Sequence, residues 1–125
     1  MTRKILIVDD EPFVCKALRK FLERKGYSVA EAHDGDEALE AYRQEKPDVV
    51  LLDIRMPGKD GLETLRELQA FDPKAIVIIL TALHEKELAK QALADGAFEY
   101  ITKSVSLDAL ELTLQRKIAL FRGGE

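Results

Sequence analysis

The sequence contains no tryptophan, one cysteine and four prolines in 125 residues. A lone thiol, Cys15, excludes an intramolecular disulfide, and the spacing of Cys and His shows no cluster for structural zinc. Long apolar runs are also missing. The longest, Ile76 to Leu80, is far short of the roughly 20 residues that a membrane-spanning helix needs. The opening Met1-Thr2-Arg3-Lys4 leads into a short apolar stretch and two acids, too brief for a signal-peptide core. A cytoplasmic location without membrane association is therefore expected. Positive charge is in deficit as well: 19 Lys and Arg against 23 Asp and Glu leave a net charge of −4, with no basic stripe. Direct nucleic-acid binding is disfavoured, because such affinity comes from clustered cations on phosphates.

What is present suits one soluble domain. At 46% hydrophobic and 34% charged, the chain is too apolar for disorder and too charged for a membrane protein. Its length corresponds to about one domain at roughly 150 residues each. Continuous apolar runs at Ile5–Val8, Val49–Leu52 and Ile76–Leu80, with mixed ones at Tyr27–Ala32 and Phe98–Ile101, read as strands buried on both faces of a parallel sheet. Between them the apolar residues fall at helical spacing. The stripes are Phe13, Ala17, Leu18, Phe21 and Leu22; Ala38, Leu39, Ala41 and Tyr42; Leu62, Leu65, Leu68 and Gln69; Leu88, Ala89, Ala92 and Leu93; and Leu107, Leu110, Leu114, Ile118 and Phe121. Lys25-Gly26 and Asp95-Gly96 end helices, Asp34-Gly35 and Gly58 to Gly61 read as turns, and Pro47 and Pro73 precede strands. Five β-α units predict an α/β fold, a parallel sheet with helices on both faces. The domain is expected to span 1–121, with 122–125 a frayed tail or the start of a linker.

The polar residues fall where such a sheet binds ligands. Asp9-Asp10 end the first strand, Asp53 the third, Thr81 the fourth, and Thr102-Lys103 the fifth. If the strand order is 2-1-3-4-5, strands one and three are neighbours and the three aspartates converge at the crevice where the order reverses. At about 4 Å and an effective dielectric near 20, each carboxylate pair repels by roughly 4 kcal/mol. Lys103 offers one compensating charge and a divalent cation two more. All-oxygen ligands favour Mg²⁺. A carboxylate beside such an ion, with a hydroxyl and a lysine opposite, is set up to accept a phosphoryl group, with Asp53 as nucleophile and Thr81 and Lys103 on the phosphoryl oxygens. Taken singly, each residue has an ordinary use. Asp10 and Thr81 suit helix N-caps, Asp53 a turn, and Lys103 a solvated charge. Asp60 reads as the cap of the third helix, Cys15 as a packing or surface residue, and His33 and His84 as surface residues.

At these positions the sequence resembles the receiver domain of bacterial two-component response regulators, over about Arg3 to Phe121. The likeness is carried by Lys4-Ile5-Leu6-Ile7-Val8-Asp9-Asp10-Glu11, by Asp34-Gly35-Asp36-Glu37-Ala38-Leu39, and by Asp48 to Gly58 followed by Asp60-Gly61. Leu80-Thr81-Ala82 and Gly96 to Lys103 complete it. The resemblance implies the flavodoxin-like doubly wound fold with order 2-1-3-4-5. It implies that Asp53 accepts phosphate from a sensor histidine kinase or phosphotransfer protein. It assigns Mg²⁺ to Asp10, Asp53 and the backbone carbonyl of Arg55, with Asp9 acting mainly through water. Thr81, the backbone N–H of Ala82 and Lys103 hold the phosphoryl oxygens, and Tyr100 is the switch aromatic. Its alternative use is a half-buried strand aromatic. Phosphorylation then alters the face built from the fourth helix, fifth strand and fifth helix, which is also a possible homodimer surface. Leu112 and Leu120 lie off the main stripe of the last helix. The family usually carries proline after the lysine, and Ser104 stands here. A cis bond without proline costs about 2.5–4 kcal/mol. That favours a trans peptide and a displaced Lys103. Arg55 and Leu83, near the pocket mouth, are expected to tune water access to the acyl phosphate.

Two other functions use part of the same pattern. A Mg²⁺-dependent phosphohydrolase with an aspartyl-phosphate intermediate needs a second acid/base and a cap over its substrate, for which 125 residues leave no room. A flavin binder needs a phosphate-cradling loop where the first strand ends in two acids.

Overall fold

A computed structural model describes residues 3–55, 60–82, 86–103 and 106–122, side chains included as far as residue 116. Strands β1 (Lys4–Val8), β2 (Ser28–Ala32), β3 (Val49–Leu52), β4 (Val77–Thr81) and β5 (Glu99–Thr102) alternate with helices α1 (Pro12–Arg24), α2 (Gly35–Glu45), α3 (Gly61–Phe71), α4 (Lys86–Ala94) and α5 (Leu107–Arg122). All pairings are parallel and the order is β2-β1-β3-β4-β5. The fold is the flavodoxin-like doubly wound sheet.

Each apolar run divides by the two-residue period of a strand. Leu6, Val8, Val50, Leu52, Val77 and Ile79 face one side, with Ala38 and Tyr42 of α2, Leu65 and Leu68 of α3 and Ala92 of α4. Ile5, Ile7, Val49, Leu51, Ile78 and Leu80 face the other, with Cys15, Leu18 and Leu22 of α1 and Leu110 and Leu114 of α5. Both faces are covered, which is why the runs are continuous rather than alternating.

Local chemistry closes most of the helices. Asp34 and Asp60 cap α2 and α3, accepting hydrogen bonds from the backbone N–H of Glu37 and Glu63 at 2.8 Å each. Asp34-Gly35 is therefore a helix start rather than a turn, and Gly61 is likewise the first residue of α3. α1 ends with Gly26 at φ 97°, its N–H on the Glu23 carbonyl and that of Tyr27 on Leu22. Only glycine enters this left-handed closure without strain. Gly96 ends α4 in the same way. α2 departs from the pattern: Lys46 takes the left-handed position at φ 49°.

The α1 stripe is rotated from the one expected. Phe13 is 83% exposed and Ala17 is also outside. Cys15, Leu18 and Leu22, spaced i, i+3 and i+7, form the buried face, and positions two residues from Cys15 point some 200° around the helix. Leu93 and Leu107 are exposed as well, at 49% and 40%. Among the described residues no helix is long and apolar enough to cross a membrane.

Candidate functional site

The carboxyl edge of the sheet assembles the expected residues. Asp9 follows β1 and Asp53 follows β3. The pairing Val8↔Leu52 and the bond from the Asp53 N–H to the Val8 carbonyl, 2.9 Å, carry the strand register onto the two aspartates. Asp9, Asp10 and Asp53 each offer a carboxylate oxygen within 4.8 Å of the others. Asp9 and Asp53 are buried and Asp10 is half-buried.

Three donors hold the buried pair. The Glu11 N–H reaches Asp9 Oδ1 and the Arg55 N–H reaches Asp53 Oδ1, each at 3.0 Å. Lys103 lies between the remaining oxygens, its Nζ 2.7 Å from Asp9 Oδ2 and 3.1 Å from Asp53 Oδ2. Burial works against the ammonium charge, but the hydrogen bonds to Asp9 and Asp53 outweigh it and raise the Lys103 pKa above its usual 10.5. Ser104 lies outside the described residues, yet Lys103 reaches both acids. Its backbone N–H donates to the Thr81 carbonyl at 2.7 Å, which ties the end of β5 to the end of β4.

Asp10, Glu11, Asp53, Arg55, Thr81, Ala82 and Lys103 line a cleft of about 310 Å³. Thr81 is fully buried as the last residue of β4 and is not a helix cap. Asp10 is not the cap of α1 either: Glu11 holds that position, with no side-chain capping bond. Arg55 is exposed at the rim. Tyr100 is half-buried in β5 and packs against the core on the α2–α3–α4 side. Leu83 and His84 lie outside the described residues. Glu11, with Oε1 3.9 Å from Lys103 Nζ, adds a fourth acid that the sequence reading left out. Its signal is adjacency to the Asp9-Asp10 pair. His33, expected to stand alone, has Nε2 3.6 Å from Glu31 Oε1.

This donor set fits a hard divalent cation. Oxygens from three carboxylates lie close together beside an open cleft, with one lysine against four acidic side chains.

Comparison with known proteins agrees with the geometry. The family described as response regulator receiver domain matches residues 5–115. The transcriptional regulatory protein ZraR of Klebsiella oxytoca is 43% identical over 121 residues, covering 97% of this chain and 27% of that protein. The chain thus spans about a quarter of that relative's length. The chemotaxis protein CheY of Halobacterium salinarum is 41% identical over 103 residues, covering 82% of this chain and 86% of CheY. Among solved structures, a CheY-like response regulator receiver domain protein from Methanospirillum hungatei superposes with a TM-score of 0.94 at 28% identity, covering 100% of both chains.

Proposed function

This chain belongs to the response regulator receiver family, a family of two-component signalling switches, and on that basis we propose that Asp53 is its phosphoacceptor. The observation that carries the proposal is the cluster of Asp9, Asp10 and Asp53 with Lys103 bridging two of them. A carboxylate oxygen of Asp53 attacks the phosphorus of a phosphohistidine on a sensor kinase or phosphotransfer protein. The P–N bond breaks, an acyl-phosphate P–O bond forms, and the released imidazole takes a proton from solvent. Lys103 follows the new charge onto the phosphoryl oxygens, and the Thr81 hydroxyl and Ala82 N–H bind them. Asp10, Asp53 and the Arg55 carbonyl would hold Mg²⁺, with Asp9 acting through water. When bound, the ion supplies the positive charge that one lysine lacks against four acids and an incoming phosphoryl group. The same groups let the domain promote its own phosphorylation and dephosphorylation, and Arg55 and Leu83 tune the latter.

Loading the site draws Thr81 toward Asp53 and lets Tyr100 turn inward, which changes the α4–β5–α5 face. That is a shift between two populations, driven by contacts the phosphoryl group makes in only one of them. Leu93 of α4 and Leu112 of α5, 49% and 48% exposed, leave apolar side chains on two of the three elements of this face for a homodimer or an output partner. The reading places the chain in the cytoplasm as domain 1–121, with no nucleic-acid contact of its own. The test is Mg²⁺-dependent labelling with a small phosphodonor. The native chain is expected to take up one phosphate and Asp53→Asn none; equal labelling removes the assignment. Arg55→Ala and Leu83→Ala are each expected to change the lifetime of the label.

A further inference from the structure

A second group of donor atoms lies where α1 crosses β2. Val29 and Glu31 share one face of β2, His33 follows just past the strand, and Val29 packs with the cluster that buries Cys15. Cys15 is the first buried residue of α1. Its Sγ, a Glu31 carboxylate oxygen and a His33 ring nitrogen lie within 4.8 Å of one another. No short-range spacing announces this set, because Cys15 comes from α1 and the other two from β2 and the residue just past it.

Details of the group point to a ligand. His33 Nδ1 is shielded from solvent and has no hydrogen-bond partner. Leaving a polar atom in that condition costs about 1–3 kcal/mol. Glu31 Oε2 accepts from Arg19 Nε, and Oε1 lies 3.6 Å from His33 Nε2, so the contact with Glu31 is at Nε2 and the nitrogen without a partner is Nδ1. Zinc-type ions bind N, O and S donors at about 2.0–2.3 Å in a tetrahedron, so those donors sit roughly 3.3–3.8 Å apart. The junction is also held: the His33 N–H donates to Glu37 Oε1, and Asp34 caps the helix that follows. Cys15 is sealed in the core, whereas the side chains of Glu31 and His33 are 23% and 40% exposed, so an ion approaches from their side.

We propose that Cys15, Glu31 and His33 form a three-ligand site for a borderline divalent transition-metal ion of the zinc type, with water in the fourth position. Thiolate, imidazole and carboxylate together favour such an ion over Mg²⁺. On binding, the Cys15 S–H bond breaks, a sulfur–metal bond forms, and one proton leaves to solvent. The thiol then gives up its hydrogen bond to the Asp9 carbonyl, 3.4 Å away. Its three donors are distinct from those of the acidic cleft, and the proposal does not rest on Asp53 being the phosphoacceptor.

The test is a Co²⁺ titration, with Mg²⁺ saturating the acidic cleft, read by the near-ultraviolet sulfur-to-cobalt charge-transfer band. One equivalent of Co²⁺ is expected to develop the band, and Zn²⁺ to bleach it. Cys15→Ser is expected to abolish the band, and His33→Ala to weaken binding at least about tenfold. Asp53→Asn is expected to leave both intact. His33 is part-exposed, so His33→Ala carries the test if Cys15→Ser fails to fold. Absence of a thiolate band up to millimolar Co²⁺, undiminished affinity in His33→Ala, or loss of the band in Asp53→Asn each overturns the proposal.

Discussion

Lys103 carries the electrostatics of the cleft, because it is the cation in contact with both Asp9 and Asp53. Removing one partner of a buried ion pair costs about 3–5 kcal/mol, since the other charge stays buried and unpaired. Lys103→Met is therefore expected to lose about that much stability in denaturant melts without divalent ions, and to regain more on adding Mg²⁺ than the native chain does. The pH dependence has a definite sign. The folded-state pKa of Lys103 is raised above 10.5, so its contribution is full below that value and fades as pH climbs through the raised one. Alkaline melts are expected to show this loss in the native chain and not in Lys103→Met. Cys15 behaves differently. Burial, followed by the charges of Asp9 and Glu31, pushes its thiol up to about 11 from 9.0. At pH 8 only about one thiol in a thousand is ionised when folded, against about one in ten when unfolded. Alkylation by iodoacetamide is expected to be at least about a hundredfold slower in the folded, metal-free chain.

At the scale of an element, the start of α3 is packed on the segment that follows Asp53. A Cβ on Gly61 would fall 2.1 Å from Ile54 Cα, and the Gly61 N–H donates to the Ile54 carbonyl at 3.0 Å. The helix thus rests directly on the backbone one residue after Asp53. Gly61→Ala is expected to push the two apart, destabilising the fold by about 3 kcal/mol and slowing phosphodonor labelling at Asp53. Urea melts and a labelling time course check both effects. The end of α2 has the opposite opportunity. Lys46 holds a left-handed conformation that costs a side-chain-bearing residue about 1–2 kcal/mol. After glycine's greater unfolded-state freedom is subtracted, Lys46→Gly is expected to stabilise by roughly 0.5–1 kcal/mol. An unchanged or lower urea midpoint would contradict that account.

The site exists at the scale of the whole molecule because of the crossover in the sheet. β1 pairs with β2 on one side and β3 on the other, so the ends of β1 and β3 meet at the reversal point. β4 and β5 then bring Thr81 and Lys103 to the same rim. An ion shared by Asp10 and Asp53 would link strands far apart in the chain and would bind only the folded form. Mg²⁺ at a hundred times its dissociation constant is expected to add about 2.7 kcal/mol to stability. Asp53→Asn is expected to lose most of that dependence, as thermal melts at graded Mg²⁺ would show.

Strand positions, the Asp60 cap, the Gly26 closure and the acidic and basic rim residues were legible in the one-dimensional pattern, whereas Asp34-Gly35 read as a turn and is a helix start. The legible features depend on interactions among residues a few positions apart, and the family motifs lie on the same positions. The rotation that exposes Phe13, the left-handed Lys46, the contact of Gly61 with Ile54 and Glu11 at the cleft were not. Nor was the meeting of Cys15 with Glu31 and His33, which the spacing of Cys and His argued against. Helical spacing gives a stripe without saying which way it faces, and that direction follows from the sheet on which the helix packs. Distances among Asp9, Asp53 and Lys103 likewise follow from strand order and register, which arise only when all five strands pair at once.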